Sequence, residues 1–229
     1  IQQFVLAVEI AIALLLLETL ELHIRYQLFA EKNVDIAVLE TGLGGRFDAT
    51  NVVEPEVSVL TGVALDHRRI LGDTLEENLM EKLGITRPGV PLVCGDLSHG
   101  LREIVESRAK RDGIPLPDAG SAVLARMSID GMSARIITPV RDYGDVELPF
   151  IGSHQLGNGL IAVRAAEIVL GGAVELDSAA SLVRMPGRFE VRKFGEKRLV
   201  FDVAHNDQSL IATTTTLASL SPREENGII

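Results

Sequence analysis

The chain of 229 residues is long enough for one large domain, or for one domain with part of a second. Its content of 46% hydrophobic and 24% charged residues is typical of a globular protein and excludes wholesale disorder. With 22 basic and 32 acidic residues the formal net charge is −10, so no global positive field attracts nucleic acid or a membrane surface. Cys94 is the single cysteine, which excludes an internal disulfide and a cysteine-based zinc cluster and favours a reducing cytoplasm.

An apolar stretch near the start of the chain, residues 4–17, reads FVLAVEIAIALLLL. Glu9 interrupts it, and it is shorter than the roughly 20 residues that a membrane-spanning helix needs. No basic region precedes it and no small-residue cleavage site follows it, so we predict a buried helix rather than a signal peptide. Because the chain opens on Ile1 rather than Met, we also expect it to be a fragment.

Two apolar runs predict parallel strands that bring polar side chains to one edge of a sheet. Residues 34–40, VDIAVLE, form a β-branched run that ends in Glu40 and leads into a glycine cluster. Residues 57–65, VSVLTGVAL, are followed by Asp66 and His67. Ligands of open α/β sheets bind at the carboxyl ends of the strands, so we expect Glu40 and His67 near a site.

A helix and a second strand–helix pair follow. Thr74 and Glu77, three residues apart, form a capping box that predicts a helix running through Leu83. Residues 91–96, PLVCGD, predict a strand, and residues 101–112 predict a charged amphipathic helix. This alternation of strands and helices predicts an α/β fold with a doubly wound, mostly parallel sheet.

The pattern changes over residues 121–150, where we predict a small antiparallel insertion. Asp130 and Gly131 mark a hairpin turn between apolar residues. Apolar residues then recur at helical spacing over residues 155–170, which predicts a helix that ends at Gly171.

The last part of the chain predicts the start of a second unit. Two strand-like runs, FEVRKF and KRLVFDVAH, precede a threonine-rich helix. Pro186 and Gly187 lie just before these runs and form the best candidate boundary. We therefore expect one domain over residues 1–185 and the beginning of another over residues 186–229.

Residue chemistry alone leaves the function of these strand ends open. Glu40 is a hard oxygen ligand that suits Mg²⁺, whereas the imidazole of His67 is more typical of zinc or iron. The alternative is that Glu40 caps a backbone turn and that His67 is a core histidine. The glycines around Arg46 could bring backbone amides to a phosphate, or could simply permit a turn.

Several motifs together resemble the folylpolyglutamate synthase and dihydrofolate synthase family, amide-forming ligases of the Mur ligase superfamily. They are, in chain order, LETGLGGRFDATNVV, LDH, LGDTLEENLMEKLGI, GSHQLGNGLIAV, MPGRFEV and FDVAHN. The resemblance covers about residues 34–210. It implies part of a central ATP-binding domain, followed by the start of a Rossmann-like C-terminal domain that handles glutamate.

The resemblance also implies a metal site and a pterin site. Glu40 and His67 match positions that bind Mg²⁺, and Lys82 matches a lysine that becomes a metal ligand as its carbamate. His67 and Lys82 would therefore be the catalytic positions. A lysine must be neutral to capture CO₂, and burial favours this by lowering its pKa; the alternative is an ordinary helix lysine. The pterin pocket is implied at residues 47–49, namely Phe47, Asp48 and Ala49.

The later motifs imply positions for the other two substrates. Asn158, Arg188 and Asp202 match residues that contact ATP, and His205 matches a residue near the incoming glutamate. A guanidinium in an interdomain linker can bind a phosphate bidentately. The alternatives are a helix-start amide, a linker arginine, and a strand-end Asp-His pair held by backbone hydrogen bonds.

The implied reaction has two steps and needs ATP and Mg²⁺. ATP phosphorylates a carboxylate of folate or dihydropteroate, and the amine of L-glutamate then attacks the acyl phosphate. However, no Gly-Lys dipeptide occurs in the chain, so the phosphate-binding loop that the family carries is missing from it. We therefore expect this chain alone to be inactive, and two alternatives stay open: a non-catalytic folate- or nucleotide-binding relic, and a related Mur-type peptide ligase.

Overall fold

The computed structural model describes residue 22 and residues 24–220. The apolar stretch at residues 4–17, for which we predicted a buried helix, lies outside this range. The described part of the first helix, α1, covers residues 24–32. No helix in the described part of the chain combines the length and apolarity that a membrane span requires.

The first half of the structure is a β–α–β unit. Strand β1 (Ser58–Leu60) pairs in parallel with β2 (Leu92–Cys94), and helices α2 (Arg68–Leu71) and α3 (Leu75–Lys82) lie between them in sequence. Helix α4 (His99–Asp112) follows β2. A hydrophobic core joins the two strands to α3 and α4, with Leu79, Leu83, Leu92 and Val105 almost fully buried.

Local signals determine where α3 begins. The side chain of Thr74 accepts a hydrogen bond from the amide of Glu77, and the carboxylate of Glu77 accepts one from the amide of Thr74. This reciprocal pair satisfies amide groups that the first helical turn would otherwise leave without partners. The predicted capping box is therefore confirmed.

The predicted antiparallel insertion is also confirmed. Strands β3 (Ser121–Ser128), β4 (Gly131–Ile137) and β5 (Asp142–Leu148) form a three-stranded meander. Its inner face packs against α5 (Ser153–Leu170) and α6 (Leu176–Leu182).

A buried carboxylate fastens this sheet to α5. Oε1 of Glu167 accepts hydrogen bonds from the hydroxyl groups of Thr138 (2.6 Å) and Tyr143 (2.8 Å). Its Oε2 accepts one from the guanidinium of Arg164 (3.1 Å). Because the side chain of Glu167 is fully buried, its charge depends on these partners.

The described part of the chain closes with a hairpin and a helix. Strands β6 (Glu190–Phe194) and β7 (Lys197–Phe201) pair in antiparallel register, and α7 (Asp207–Leu220) follows. In this register Lys193 lies directly opposite Arg198.

Two strand predictions need correction. Residues 34–40, predicted as a buried parallel strand, belong to no sheet in the described structure, and Val38 is 91% exposed. A parallel strand needs a neighbouring strand to satisfy its backbone hydrogen bonds, and no described strand lies beside these residues. The run at 57–65 is a strand over only three residues. The α/β class is confirmed, with one parallel pair and two antiparallel sheets in the described part.

Candidate functional site

The glycine-rich loop, residues 41–48, packs tightly against the end of α3. The amide of Arg46 donates to the carbonyl oxygen of Glu81 (2.9 Å). A Cβ atom on Gly45 would lie 2.8 Å from Cγ2 of Ile85 and 2.9 Å from the carbonyl oxygen of Lys82, so only glycine fits there. The loop is therefore fixed directly beside Lys82.

The same loop also contacts α2. Gly44 adopts the left-handed conformation (φ +68°), and a Cβ atom on it would lie 2.9 Å from Cδ2 of Leu71. His67 occupies the N-cap position of α2, and its side chain makes no hydrogen bond to that helix. Because the same Cβ atom on Gly44 would also lie 3.8 Å from Cβ of Glu81, helices α2 and α3 both approach the loop at Gly44.

Asp48 organises the loop from within. Its Oδ2 accepts a hydrogen bond from the amide of Leu43 (2.9 Å), and its Oδ1 accepts from the amide (2.9 Å) and hydroxyl (2.6 Å) of Thr50. Burial acts to raise the pKa of Asp48, but the hydrogen bonds from Thr50, Leu43 and Gly42 outweigh it and lower the pKa. Asp48 also caps a short 3₁₀ helix, Ala49–Val52. Its carboxylate is therefore occupied by the protein's own groups.

Phe47 is the aromatic group that the loop presents to solvent. Its side chain is 83% exposed, and the guanidinium of Arg46 lies 5.0 Å from the ring centroid. An exposed ring with a cation on one face can stack a planar ligand. Ala49, the third residue of the predicted pterin pocket, is half-buried as the first residue of the 3₁₀ helix.

The predicted metal ligands lie on exposed or half-exposed positions. Glu40 is exposed, and His67 is exposed with a left-handed backbone (φ +49°). Lys82, at the end of α3, is half-buried. The suggestion that His67 is a core histidine is wrong, and no described group donates a hydrogen bond to Glu40 that would make it a turn cap.

The donor set can be tested against the chemistry of Mg²⁺. Within the described ranges, no three His, Cys, Asp or Glu side chains gather as a closed metal cage. Mg²⁺ keeps several waters and commonly takes only one or two protein ligands together with substrate phosphates. An exposed carboxylate at Glu40 fits such an open site, the imidazole of His67 is a less usual ligand for Mg²⁺, and Lys82 fits it only as a carbamate.

Asp66 connects the first half of the described chain to the segment before α7. Its Oδ2 accepts a hydrogen bond from Nδ2 of Asn206 (3.0 Å) and lies 3.6 Å from Nε2 of His205. Its Oδ1 accepts from the amide of His67 (2.7 Å). The hydrogen bonds from Asn206 and His67 lower the pKa of Asp66. The LDH and FDVAHN motifs are thereby in contact.

Asp202 ties the segment before β6 to the segment that follows β7. Its Oδ2 accepts from the amide of Phe189 and its Oδ1 from the amide of Ala204, both at 2.8 Å. These are the backbone hydrogen bonds that the alternative interpretation of the strand-end Asp-His pair anticipated. Arg188, the preceding linker residue, is exposed and lines a cleft of about 620 Å³.

His154, at the start of α5, has a pKa that responds to the charges of Arg188 and Asp202. Burial lowers the pKa of His154; the charge of Asp202 acts to raise it, and that of Arg188 lowers it further. One turn later, Nδ2 of Asn158 donates to Oε1 of the buried Gln155 (3.2 Å). The charges of Arg188 and Asp202 thus act on His154 at the start of α5.

Three residues in these clusters were not predicted as site residues. His154 stands in the GSHQLGNGLIAV motif, Asp66 in LDH, and Asn206 in FDVAHN. Their presence inside the motifs was the available signal. Their contacts with residues up to 140 positions away could come only from the fold.

Comparison with known proteins gives one consistent set of relatives, although no family model matches the chain. The dihydrofolate synthase/folylpolyglutamate synthase of Bacillus subtilis (strain 168) is 34% identical over 199 residues, covering 82% of this chain and 46% of that protein. The apo form of L. casei folylpolyglutamate synthase matches with a TM-score of 0.75 and 28% identity, covering 86% of this chain and 50% of that one.

A third match carries nucleotides. The Mycobacterium tuberculosis folylpolyglutamate synthase complexed with ADP and AMPPCP has a TM-score of 0.74 and 31% identity, covering 83% of this chain and 45% of that one. The chain thus spans about half the length of the relatives that it matches.

Proposed function

Because this chain is a homologue of the folylpolyglutamate and dihydrofolate synthases over more than four-fifths of its own length, we propose that it forms part of an ATP-dependent ligase. The substrates are a folate or dihydropteroate carboxylate and L-glutamate, which the enzyme joins by an amide bond. The observation that carries this proposal is the joint match in sequence and fold: 34% identity to the Bacillus subtilis enzyme over 199 residues and a TM-score of 0.75 to the L. casei enzyme.

The first step transfers the terminal phosphoryl group of ATP to a carboxylate oxygen, and ADP leaves. The guanidinium of Arg188 binds phosphate oxygens, because its planar donors match them in pairs. Asn158 and Asp202 orient the nucleotide beside it. Phe47 stacks on the pterin ring from the glycine-rich loop, which Asp48 keeps in shape.

The second step forms the amide. The free amine of glutamate attacks the acyl carbon, inorganic phosphate leaves, and the nitrogen loses a proton. His205 lies where the amine approaches, on the loop that contacts Asp66. Holding the amine beside the acyl phosphate supplies most of the rate enhancement in such a reaction.

A bound Mg²⁺, held by Glu40, His67 and the carbamate of Lys82, would neutralise charge on the phosphates. Replacing Glu40 removes the carboxylate from this donor set. We therefore expect Glu40→Ala to lower turnover at least tenfold, because loss of even a group that supports a metal ligand typically costs about 10–100-fold.

We also propose a domain boundary at Pro186-Gly187 and a cytoplasmic location. The boundary is supported by the bond from the amide of Phe189 to Asp202, which attaches the residues after Gly187 to the second unit. The location is supported by the single, buried Cys94.

One observation favours a second candidate, a folate- or nucleotide-binding relic. The chain has no Gly-Lys dipeptide and so no phosphate-binding loop of the family type. Reading the gene on both sides of the codons for Ile1 and Ile229 separates the two candidates. An in-frame Gly-Lys-Ser loop upstream supports the ligase, and stop codons on both sides support the relic.

The activity test measures magnesium-dependent phosphate release by the gene product. Pteroate with L-glutamate is compared with a muramoyl substrate, which a Mur-type peptide ligase would use instead. Glu40→Ala is compared with Glu106→Ala, which removes an exposed carboxylate from α4. Equal turnover of the two variants would refute the metal assignment, and release with only the muramoyl substrate would refute the folate assignment.

A further inference from the structure

We propose that Asp66 is a positioning residue that holds the glutamate-side loop, residues 202–206, against the predicted metal ligand His67. This inference rests on the proposed function and extends it to a residue that carries no role in it. The two carboxylate oxygens of Asp66 accept hydrogen bonds from two different parts of the chain. Oδ1 accepts from the amide of His67 (2.7 Å), and Oδ2 accepts from Nδ2 of Asn206 (3.0 Å).

Asn206 is built to make this contact. Its Oδ1 accepts from the amide of Ser209 (2.9 Å), which caps the start of α7. Its Nδ2 therefore points away from the helix, and its partner in the described structure is Asp66. One amide side chain thus begins α7 and binds that helix to the LDH motif.

His205 is oriented by the same loop. Its amide donates to Oγ of Ser209 (3.2 Å), and its Nδ1 lies 2.9 Å from the carbonyl oxygen of Val203. Only Nε2 remains directed towards Asp66, at 3.6 Å from Oδ2. The carboxylate of Asp66 is thereby the common neighbour of His205, Asn206 and His67.

The backbone at His67 supports a constrained arrangement. A non-glycine residue at φ +49° is strained and persists only where its surroundings hold it. The bond from its amide to Asp66 is one such restraint. Asp66 consequently fixes the position of the loop that carries His205 and Asn206 relative to His67.

Exchanging the side chains at positions 66 and 206 tests the Asp66–Asn206 contact without removing the cap of α7. Asn206→Asp places two carboxylates at the 3.0 Å contact, while aspartate still caps α7. The double variant Asp66→Asn with Asn206→Asp restores a donor at 66 and an acceptor at 206. Asp207→Asn changes one charge at the next position, which makes no contact with Asp66, and serves as the matched control.

In the full gene product we expect Asn206→Asp to raise KM for L-glutamate about tenfold, the effect of losing a hydrogen bond to a charged group. KM for ATP stays unchanged, and the double variant returns KM for L-glutamate to within about threefold of the starting value. An unchanged KM for L-glutamate in Asn206→Asp, or a double variant no better than the single one, overturns the proposal.

A measurement that needs no turnover separates this proposal from the proposed function. Amide hydrogen exchange of residues 202–207 should accelerate in Asn206→Asp, recover in the double variant and stay unchanged in Asp207→Asn. The same exchange rate in the unaltered protein and in all three variants would overturn the proposed role of Asp66. If the unaltered gene product joins no glutamate, the proposed function is refuted, and the exchange result alone supports or overturns the contact.

Discussion

Arg87 and Asn51 are joined by two hydrogen bonds from a single guanidinium nitrogen. One NH2 group of Arg87 lies 2.9 Å from the carbonyl oxygen of Asn51 and 3.0 Å from its Oδ1. The amide nitrogen of the Asn51 side chain in turn donates to the carbonyl oxygens of Gly84 (3.0 Å) and Arg46 (3.1 Å). This network ties the glycine-rich loop to the turn that follows α3.

We expect Asn51→Ala to lower the free energy of unfolding by about 1–3 kcal/mol, because it leaves backbone and guanidinium groups without partners. Urea denaturation measures this. Glu54→Gln is the control, since Glu54 is 86% exposed and lies 3.9 Å from Arg87, and such surface pairs contribute under about 1 kcal/mol. Equal destabilisation by the two changes would contradict the role of Asn51.

The capping box at α3 permits a matched comparison with α4. Thr74→Ala removes a side chain that accepts a hydrogen bond from Glu77, and we expect a loss of about 1 kcal/mol. Ser98 caps α4 without a side-chain hydrogen bond, so Ser98→Ala should cost clearly less. Chemical denaturation of the two variants checks the difference, and a larger loss for Ser98→Ala would show that the box contributes little.

The lowered pKa of Asp48 predicts a loss of stability in acid. A carboxyl whose pKa is lower in the folded than in the unfolded protein stabilises the fold while ionised. That contribution is present above the ordinary value near 3.8 and disappears as the pH falls through the lowered pKa. Between about pH 6 and pH 3, the unaltered protein should therefore lose more stability than Asp48→Asn. Parallel pH profiles for the two proteins would contradict this assignment.

Cys94 should be unreactive in the folded protein. It lies in β2, and burial raises the pKa of its thiol to about 11. At about pH 8 the thiolate fraction is then very small, so a disulfide reagent should label it slowly until urea opens the core. The measurement is the rate of labelling, with Cys94→Ser as the blank. Immediate labelling without urea would contradict a closed core around β2.

Elements set by neighbouring residues were predictable from the sequence. The capping box at Thr74 and the end of α5 at Gly171 each depend on a few adjacent residues. The predicted hairpin also forms, but its turn lies at residues 129–130, one residue before the predicted pair Asp130-Gly131, and Gly131 begins β4. Residues 34–40 carry a clear local signal too, a run rich in β-branched residues, yet they form no strand. A parallel strand depends on partners elsewhere in the chain, which the run itself does not encode.

The candidate site shows the same division. The motifs identified Asp48 and Asp202, but not that the carboxylates of both accept hydrogen bonds from the protein's own amides. Asp66 and Asn206 stand inside quoted motifs, and 140 residues separate them. A contact at that separation arises from tertiary structure, so residue type and spacing could not reveal it.

The direct opposition of Lys193 and Arg198 makes the β6–β7 hairpin respond to ionic strength in an unusual direction. Two like charges across a strand pair repel, and Arg198 gains only partial relief from Asp130, 3.7 Å away. Added salt shortens the range over which exposed charges interact, to about 10 Å at 0.1 M, and so weakens this repulsion. Moderate salt should therefore tighten this hairpin, while it weakens the exposed ion pairs elsewhere in the described chain.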